Sequence, residues 1–184
     1  FPLITPSVFD ACKENNIPVV FTLHNYRLIC PSGMLMYNDK IYEKSIYKGP
    51  YSTILDKVYK NSYFGTFALA RMISYHKNKK TWENKVDQFI ALTKFAKSKY
   101  IESGFNDKKF SIKPNFFISH SELINNKNRD GALYVGRLSK EKGIDILLKA
   151  WEKVPVKLKI VGNGPLSSMV AQSKNPNIEY LGFL

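Results

Sequence analysis

The stretch from Ala132 to Trp151, ALYVGRLSKEKGIDILLKAW, constrains the fold most, because it compresses a strand, a glycine bend and a helix into one short run. Leu133, Tyr134 and Val135 read as a short buried strand, and Gly136 lets the backbone turn sharply after it. Gly143 then opens a helix whose apolar positions, Ile144, Leu147, Leu148 and Trp151, fall at helical spacing. The loop between them lies at a strand's carboxyl end, which is where open α/β sheets hold their ligands. Arg137 and Lys142 sit in that loop, beside a helix N-terminus with free N–H groups. Together they suit a diphosphate: a charge-assisted hydrogen bond contributes roughly 1.5 to 3 kcal/mol, and Arg grips phosphate oxygens bidentately. A solvated basic loop before an ordinary helix is the competing interpretation.

The rest of the chain alternates helix and strand. Thr5 as N-cap and Pro6 at the first helical position begin a helix through Lys13, stopped by Asn15 and Asn16. Pro18 leads into a strand from Val19 to Leu23. After a loop from Pro31 to Ser52, the pattern predicts a long helix from Thr53 to Tyr75 and a second from Trp82 to Asp87. A buried strand follows over Phe89 to Leu92, then a helix from Phe95 to Ser103 with Gly104 as its stop. Phe110 to Ile118 reads as a strand interrupted by Pro114. Val156, Leu158 and Ile160 alternate with lysines to give another strand, ending at Gly162, Asn163, Gly164 and Pro165. The expected organisation is a domain over residues 1–118, an Asn-rich linker over 119–130 and a second domain over 131–184. The last part is shorter than the ~70 residues at which a lone core is comfortable, so it reads as half a domain. The absence of an initiating Met and the strand running into Leu184 read as two cut ends.

His24 closes the strand VVFTL and so faces the same kind of carboxyl-end crevice. Arg27 is either an acceptor- or phosphate-orienting group or a surface salt-bridge partner. His76 and His120, in polar surroundings, read as surface residues. Cys12 and Cys30 make neither a disulfide scaffold nor a metal cluster, and a reducing cytosol is expected. The net charge is +13, and 24 of the 28 basic side chains are Lys. Readers of base edges and bidentate phosphate favour Arg, so no specific nucleic acid is expected as a partner. Residues 48 to 85 interleave lysines with Tyr59, Tyr63, Phe64, Phe67 and Trp82. The mixture fits an amphipathic helix on an anionic membrane surface, or a buried helix with a solvated lysine face. No window is long and apolar enough for a membrane span.

GRLSKEKGIDILLKAW, followed by LKIVGNGPL and IEYLGFL, resembles the first half of the donor-binding domain of a family 4 glycosyltransferase of the GT-B fold. Upstream, FPLITPSVFDACKENNIPVVFTLHNYRLICPSG, YKNSYFGTFALARM, TWENKVDQFIALTKFAKSKYIESGF and SIKPNFF resemble, in order, the acceptor-side domain of its bacterial polysaccharide-assembling branch. The resemblance implies an α/β fold of GT-B type, with two Rossmann-like parallel-sheet domains, each only partly present. It implies a retaining, metal-independent hexosyltransferase moving a sugar from a UDP- or GDP-type donor to a saccharide or lipid-linked acceptor in cell-surface polysaccharide synthesis. No separate cofactor is implied. His24 would hydrogen-bond the transferred sugar, and Arg137 and Lys142 with the Gly136 backbone would clamp the departing diphosphate. Gly162 and Gly164 would let the backbone approach the nucleotide, although a plain strand-to-helix turn explains them as well. The family's proline-serine loop, its Glu pair and its N-terminal glycine-rich loop have no counterpart in the chain, which is therefore expected to be inactive alone. Where the branch carries extra cysteines, this chain has Tyr42, Glu43, Lys44 and Ser45, and no zinc site is expected. The expected location is cytoplasmic, extending to peripheral attachment at the inner face of the cell membrane. The alternatives are a basic RNA- or membrane-binding module without chemistry, an inactive nucleotide-binding fragment, and a nucleotide-sugar epimerase on the same fold.

Overall fold

The computed structural model describes residues 5–118 and 130–184, and the chain divides into two compact units, 1–118 and 119–184. The expected Asn-rich linker and His120 fall on or against residues 119–129, outside the described residues. Unit 1 runs α1 (Ser7–Glu14), β1 (Val20–Leu23), β2 (Met36–Tyr37), β3 (Lys40–Ile41), α2 (Lys44–Lys48) and a 3-10 turn at Pro50–Thr53. It continues with α3 (Tyr63–Asn78), α4 (Thr81–Lys85), β4 (Gln88–Ala91), α5 (Lys94–Glu102), a 3-10 turn at Asp107–Lys109 and β5 (Phe110–Ile112). Unit 2 runs β6 (Ala132–Val135), a 3-10 turn at Lys140–Lys142, α6 (Ile144–Trp151), β7 (Leu158–Val161), α7 (Ser167–Ala171) and β8 (Ile178–Gly182). Each unit holds a three-stranded parallel sheet, β1-β4-β5 and β6-β7-β8, so the expected α/β class with parallel sheets is what the chain adopts.

The register of unit 1 explains its core. Phe21, Phe89 and Phe110 stand opposite one another across the three strands, on the face that receives Phe9 of α1 and Trp82 of α4. Phe89 and Phe110 stack with centroids 5.0 Å apart, and Phe9 meets Trp82 edge-on at 5.8 Å. Such pairs contribute about 0.5–1.5 kcal/mol each beyond the area they bury. Two helix starts use side-chain caps: Thr93 Oγ1 accepts the Ala96 N–H at 2.9 Å, and Ser62 Oγ accepts that of Gly65 at 3.1 Å.

Several expectations need correction. Thr5 does not cap α1, which begins at Ser7 with Pro6 as its cap residue. The long helix expected from Thr53 is broken, because Lys57, Lys60 and Asn61 all adopt left-handed φ near +51° and α3 starts only at Tyr63. The strand expected to reach Ile118 stops at Ile112, two residues before Pro114, which has no N–H for a ladder. The stretch from Pro31 to Ser52, expected as loop, contains the β2–β3 hairpin. Its two-residue turn, Asn38-Asp39, has φ +50° and +59°, the signature of a primed turn.

The strand of Leu133, Tyr134 and Val135 is not buried as expected. Leu133 and Val135 are 65% and 68% exposed, while Ala132 and Tyr134 pack against the core of Leu138, Ile144, Leu158, Ile160 and Val170. Period-2 geometry sends alternate side chains to opposite faces, and α6 covers one of them.

Candidate functional site

The loop after β6 is built by backbone contact with the loop after β7. The Gly136 N–H donates to the Val161 carbonyl at 3.0 Å, the Leu138 N–H to that of Asn163 at 3.0 Å, and the Leu166 N–H to that of Leu138 at 2.9 Å. Glycine is required where the two loops touch. A Cβ on Gly162 (φ +141°) would lie 1.9 Å from the Gly136 oxygen, and one on Gly164 would lie 2.3 Å from the Leu138 oxygen. The close approach at 162 and 164 is therefore made to the protein's own backbone. Gly136 is not left-handed, and its Cα faces the Tyr134 ring, whose hydroxyl donates to the Arg137 carbonyl at 3.1 Å.

On this platform Arg137 points outward, with its side chain 66% exposed. Among the described residues it pairs with Glu141, at 4.0 Å, the outer limit of an ion pair. The Ser139 hydroxyl and the backbone N–H of Glu141 hold the Glu141 carboxyl below its usual range, with Arg137 and Lys142 adding to the effect. Lys142 is exposed and ends the 3-10 turn that precedes α6, a turn the sequence pattern did not reveal. Gly143 caps α6 with φ +69°. Gly136, Arg137, Lys142, Gly162 and Gly164 thus share one edge of unit 2, at the carboxyl ends of β6 and β7. Two mobile-length cations project beyond a backbone that is fully cross-tied, an arrangement suited to an oxyanion of more than one charge.

In unit 1, His24 follows the last residue of β1 and is exposed. It lines a pocket of about 200 Å³ with Phe21, Thr22, Leu23, Asn25, Arg27 and Leu28. The turn beneath is fixed from within. The Tyr100 hydroxyl, fully buried, donates to the Asn25 carbonyl at 2.5 Å, and the Tyr26 N–H donates to Gly33 at 2.8 Å. Burial holds the Tyr100 phenol well above its ordinary pKa, so it stays a donor at any physiological pH. Sequence reasoning missed Tyr100. Its spacing from Ala96 marks it as inward-facing, but nothing local shows that its hydroxyl reaches a turn 75 residues away.

Arg27 forms no ion pair among the described residues. Its guanidinium donates to the carbonyls of Pro31 and, at 3.3 Å, Ser32, and lies 5.1 Å from the Tyr59 ring centre. Burial lowers its pKa by disfavouring the charged form, an effect that Tyr59 and Cys30 oppose. The salt-bridge alternative is thereby corrected: Arg27 closes the loop from Cys30 to Gly33, and its guanidinium fills the space beside Gly33. His76 is half-buried, where a fully exposed residue was expected. Its Nδ1 pairs with Thr81 Oγ1 at 3.0 Å, and its ring lies 5.3 Å from that of Trp82. Among the described residues no three His, Cys, Asp or Glu side chains cluster as a metal site would need, and both cysteines are free.

Residues 115–183 match the family described as Glycosyl transferases group 1. No curated protein sequence matches the chain with significance. Solved structures similar to the chain include these two. The lipopolysaccharide outer core galactosyltransferase WaaB, in its apo form, shares 20% identity over 65% of this chain and 41% of its own, with a TM-score of 0.45. Anabaena Alr3699/HepE, in complex with UDP and glucose, shares 15% identity over 98% of this chain and 46% of its own, with a TM-score of 0.49. The chain thus spans less than half the length of either structure. The glycosyltransferase match falls on unit 2, which carries the basic loop after β6.

Proposed function

We propose that the chain is part of a GT-B glycosyltransferase of family 4, which moves a sugar, with retention of configuration, from a nucleotide-diphosphate donor to a saccharide or lipid-linked acceptor in cell-surface polysaccharide synthesis. The observation that carries this reading is the state of Arg137: two-thirds exposed, at the carboxyl end of a parallel strand, with no carboxylate nearer than 4.0 Å among the described residues and Lys142 close in sequence. The group 1 match over residues 115–183 supports it.

In the reaction the bond between the anomeric carbon and the diphosphate oxygen breaks, and its electron pair leaves with the diphosphate. The acceptor oxygen bonds the anomeric carbon and passes its proton to the departing diphosphate oxygen. Arg137 and Lys142 meet the charge that gathers on the leaving oxygens, a role worth a few kcal/mol per donor in other enzymes. The Gly136 and Leu138 amides are tied to the loop after β7, so the cations project from a backbone that need not rearrange as charge develops. A clamp of two cations supplies what a divalent ion otherwise would. His24 orients sugar hydroxyls from the end of β1. Arg27 acts through the loop it closes and not by contact with substrate.

Calorimetric titration of the chain with UDP, GDP and UMP tests the donor half of this reading. A diphosphate is expected to bind more tightly than the monophosphate. Arg137→Ala should weaken it about 10- to 150-fold, the loss of one charge-assisted contact. Equal affinity for UDP and UMP, or a diphosphate affinity unchanged by Arg137→Ala, would remove the clamp.

A further inference from the structure

We infer that the amino-terminal edge of the unit 1 sheet carries a binding site for a short-chain monocarboxylate. The chain enters β4 from α4 and β5 from the turn after α5, and these two approaches leave a cavity of about 50 Å³ between them. His24 lies beyond the opposite end of the same parallel strands. The walls are aromatic. Trp82 and Phe89 are 5% and 1% exposed, and the Phe105 ring meets that of Phe89 edge-on at 5.6 Å. Gly104 also lines the cavity, and a Cβ there would meet no atom within 4 Å, so the space beside it is open.

Around these walls stand ammonium groups that the fold fixes in place. Lys109 Nζ donates to the Val86 carbonyl at 2.7 Å and to that of Glu83, and Lys77 Nζ donates to the Ser103 carbonyl at 3.2 Å. Among the described residues neither ammonium is paired with a carboxylate. Lys80 joins them in the lining, where Glu83 is the one acid among the described residues, so three positive charges face one negative. An ammonium pinned to carbonyls keeps its full charge and at least one unused N–H. Folding has already taken its rotamer freedom, so an incoming anion does not bear that cost again.

Charge and walls together define the ligand. Cations beside aromatic carbon call for an anionic head on an apolar tail. A polyvalent anion such as sulfate would leave its water for rings that offer it no hydrogen bond. Size excludes larger acids: a cavity that takes benzene is about 150 Å³, whereas about 50 Å³ holds about four water-sized groups at roughly 10–15 Å³ each. Acetate fills that space, and the tail of butyrate extends into the opening beside Gly104. The inference does not use the donor-binding reading and stands or falls without it.

The test is a butyrate titration of the whole chain at fixed ionic strength, followed by the Trp82 indole N–H signal and the amides of residues 103–106. Saturating shifts are expected there, with an affinity about ten-fold or more above that of 1-butanol, which has the tail without the charge. Lys77→Met and Lys109→Met should each weaken butyrate about 10- to 150-fold, the loss of one charge-assisted contact. Circular dichroism checks the fold of each variant, and Lys77, exposed near the end of α3, keeps the test decisive if Lys109→Met fails to fold. The inference is overturned by absent or unsaturable shifts, by saturating shifts confined to other segments, or by 1-butanol binding as tightly as butyrate. It is also overturned if folded Lys77→Met binds as the parent does, or if sulfate displaces butyrate at equal concentration, the mark of an unselective anion site.

Discussion

Replacing Gly162 or Gly164 with alanine attacks the contact on which the whole edge of unit 2 is built. At Gly162 the new Cβ would lie 1.9 Å from the Gly136 oxygen, and at Gly164 it would lie 2.3 Å from that of Leu138. Packed carbon and oxygen do not approach so closely, so the loops must part by roughly 1 Å, enough to break a hydrogen bond that starts at normal length. The bonds at stake are Gly136 N–H to Val161, Leu138 N–H to Asn163 and Leu166 N–H to Leu138, at 3.0, 3.0 and 2.9 Å. Each contributes about 0.5–1.5 kcal/mol. Gly162 also has φ +141°, a region that costs an L residue about 1–3 kcal/mol. Losing two bonds gives about 1–3 kcal/mol for Gly164→Ala, and the backbone cost raises Gly162→Ala to about 2–6 kcal/mol. Gly104→Ala is the control: its φ is +95°, but no atom lies within 4 Å, so only about 1 kcal/mol of backbone strain is expected, and in unit 1. Native-state hydrogen exchange of the β6 and β7 amides measures the effect locally. Gly162→Ala should accelerate it by about thirty-fold or more, since each 1.4 kcal/mol is a factor of ten. An acceleration below about three-fold for both variants would refute the claim that the glycines serve loop-to-loop packing.

Two titrations follow from unit 1. Burial, chiefly, and Lys79 hold the His76 pKa below its ordinary value. The unfolded chain then takes up a proton before the folded one does, so unit 1 should lose stability as the pH falls below about 6.5. Urea unfolding followed at the Trp82 indole signal should show this loss, and His76→Gln should flatten it. Asp87 has the opposite origin: Lys13 Nζ at 2.9 Å and the Val19 N–H at 2.7 Å hold its carboxyl below the usual range. Its stabilising effect is complete above the ordinary carboxylate pKa near 3.9 and is lost as the pH falls through the depressed one. Amide signals of β1 should therefore shift in acid in the parent and lose that step in Asp87→Asn.

The strands and helices were legible wherever one face is apolar and the ends are punctuated. β1 after Pro18, α5 before Gly104 and α6 after Gly143 fall within about a residue of the pattern. What escaped depends on contacts distant in sequence or on special backbone. The break before α3 rests on left-handed lysines, for which no residue code exists. The exposure of Leu133 and Val135 depends on what covers a sheet face, and composition cannot report that. The Asn38-Asp39 hairpin turn was visible in principle, since that pair tolerates positive φ, but its strands are only two residues long. The place of Arg137 and Lys142 beyond the end of β6 was legible, because charge at a strand's end is local information. The role of Arg27 was not, because its partners are carbonyls, which every residue has. His76 misled for a similar reason: its sequence neighbours are polar, and Trp82 covers it only after α3 and α4 pack.

The diphosphate site is tested most directly by mapping amide chemical shifts while UDP is added to the chain. The account predicts that the largest changes fall between Gly136 and Ile144, that they saturate, and that Arg137→Ala abolishes saturation in the same concentration range. Saturating shifts confined to any other segment, with the amides of residues 136–144 unmoved, would contradict it.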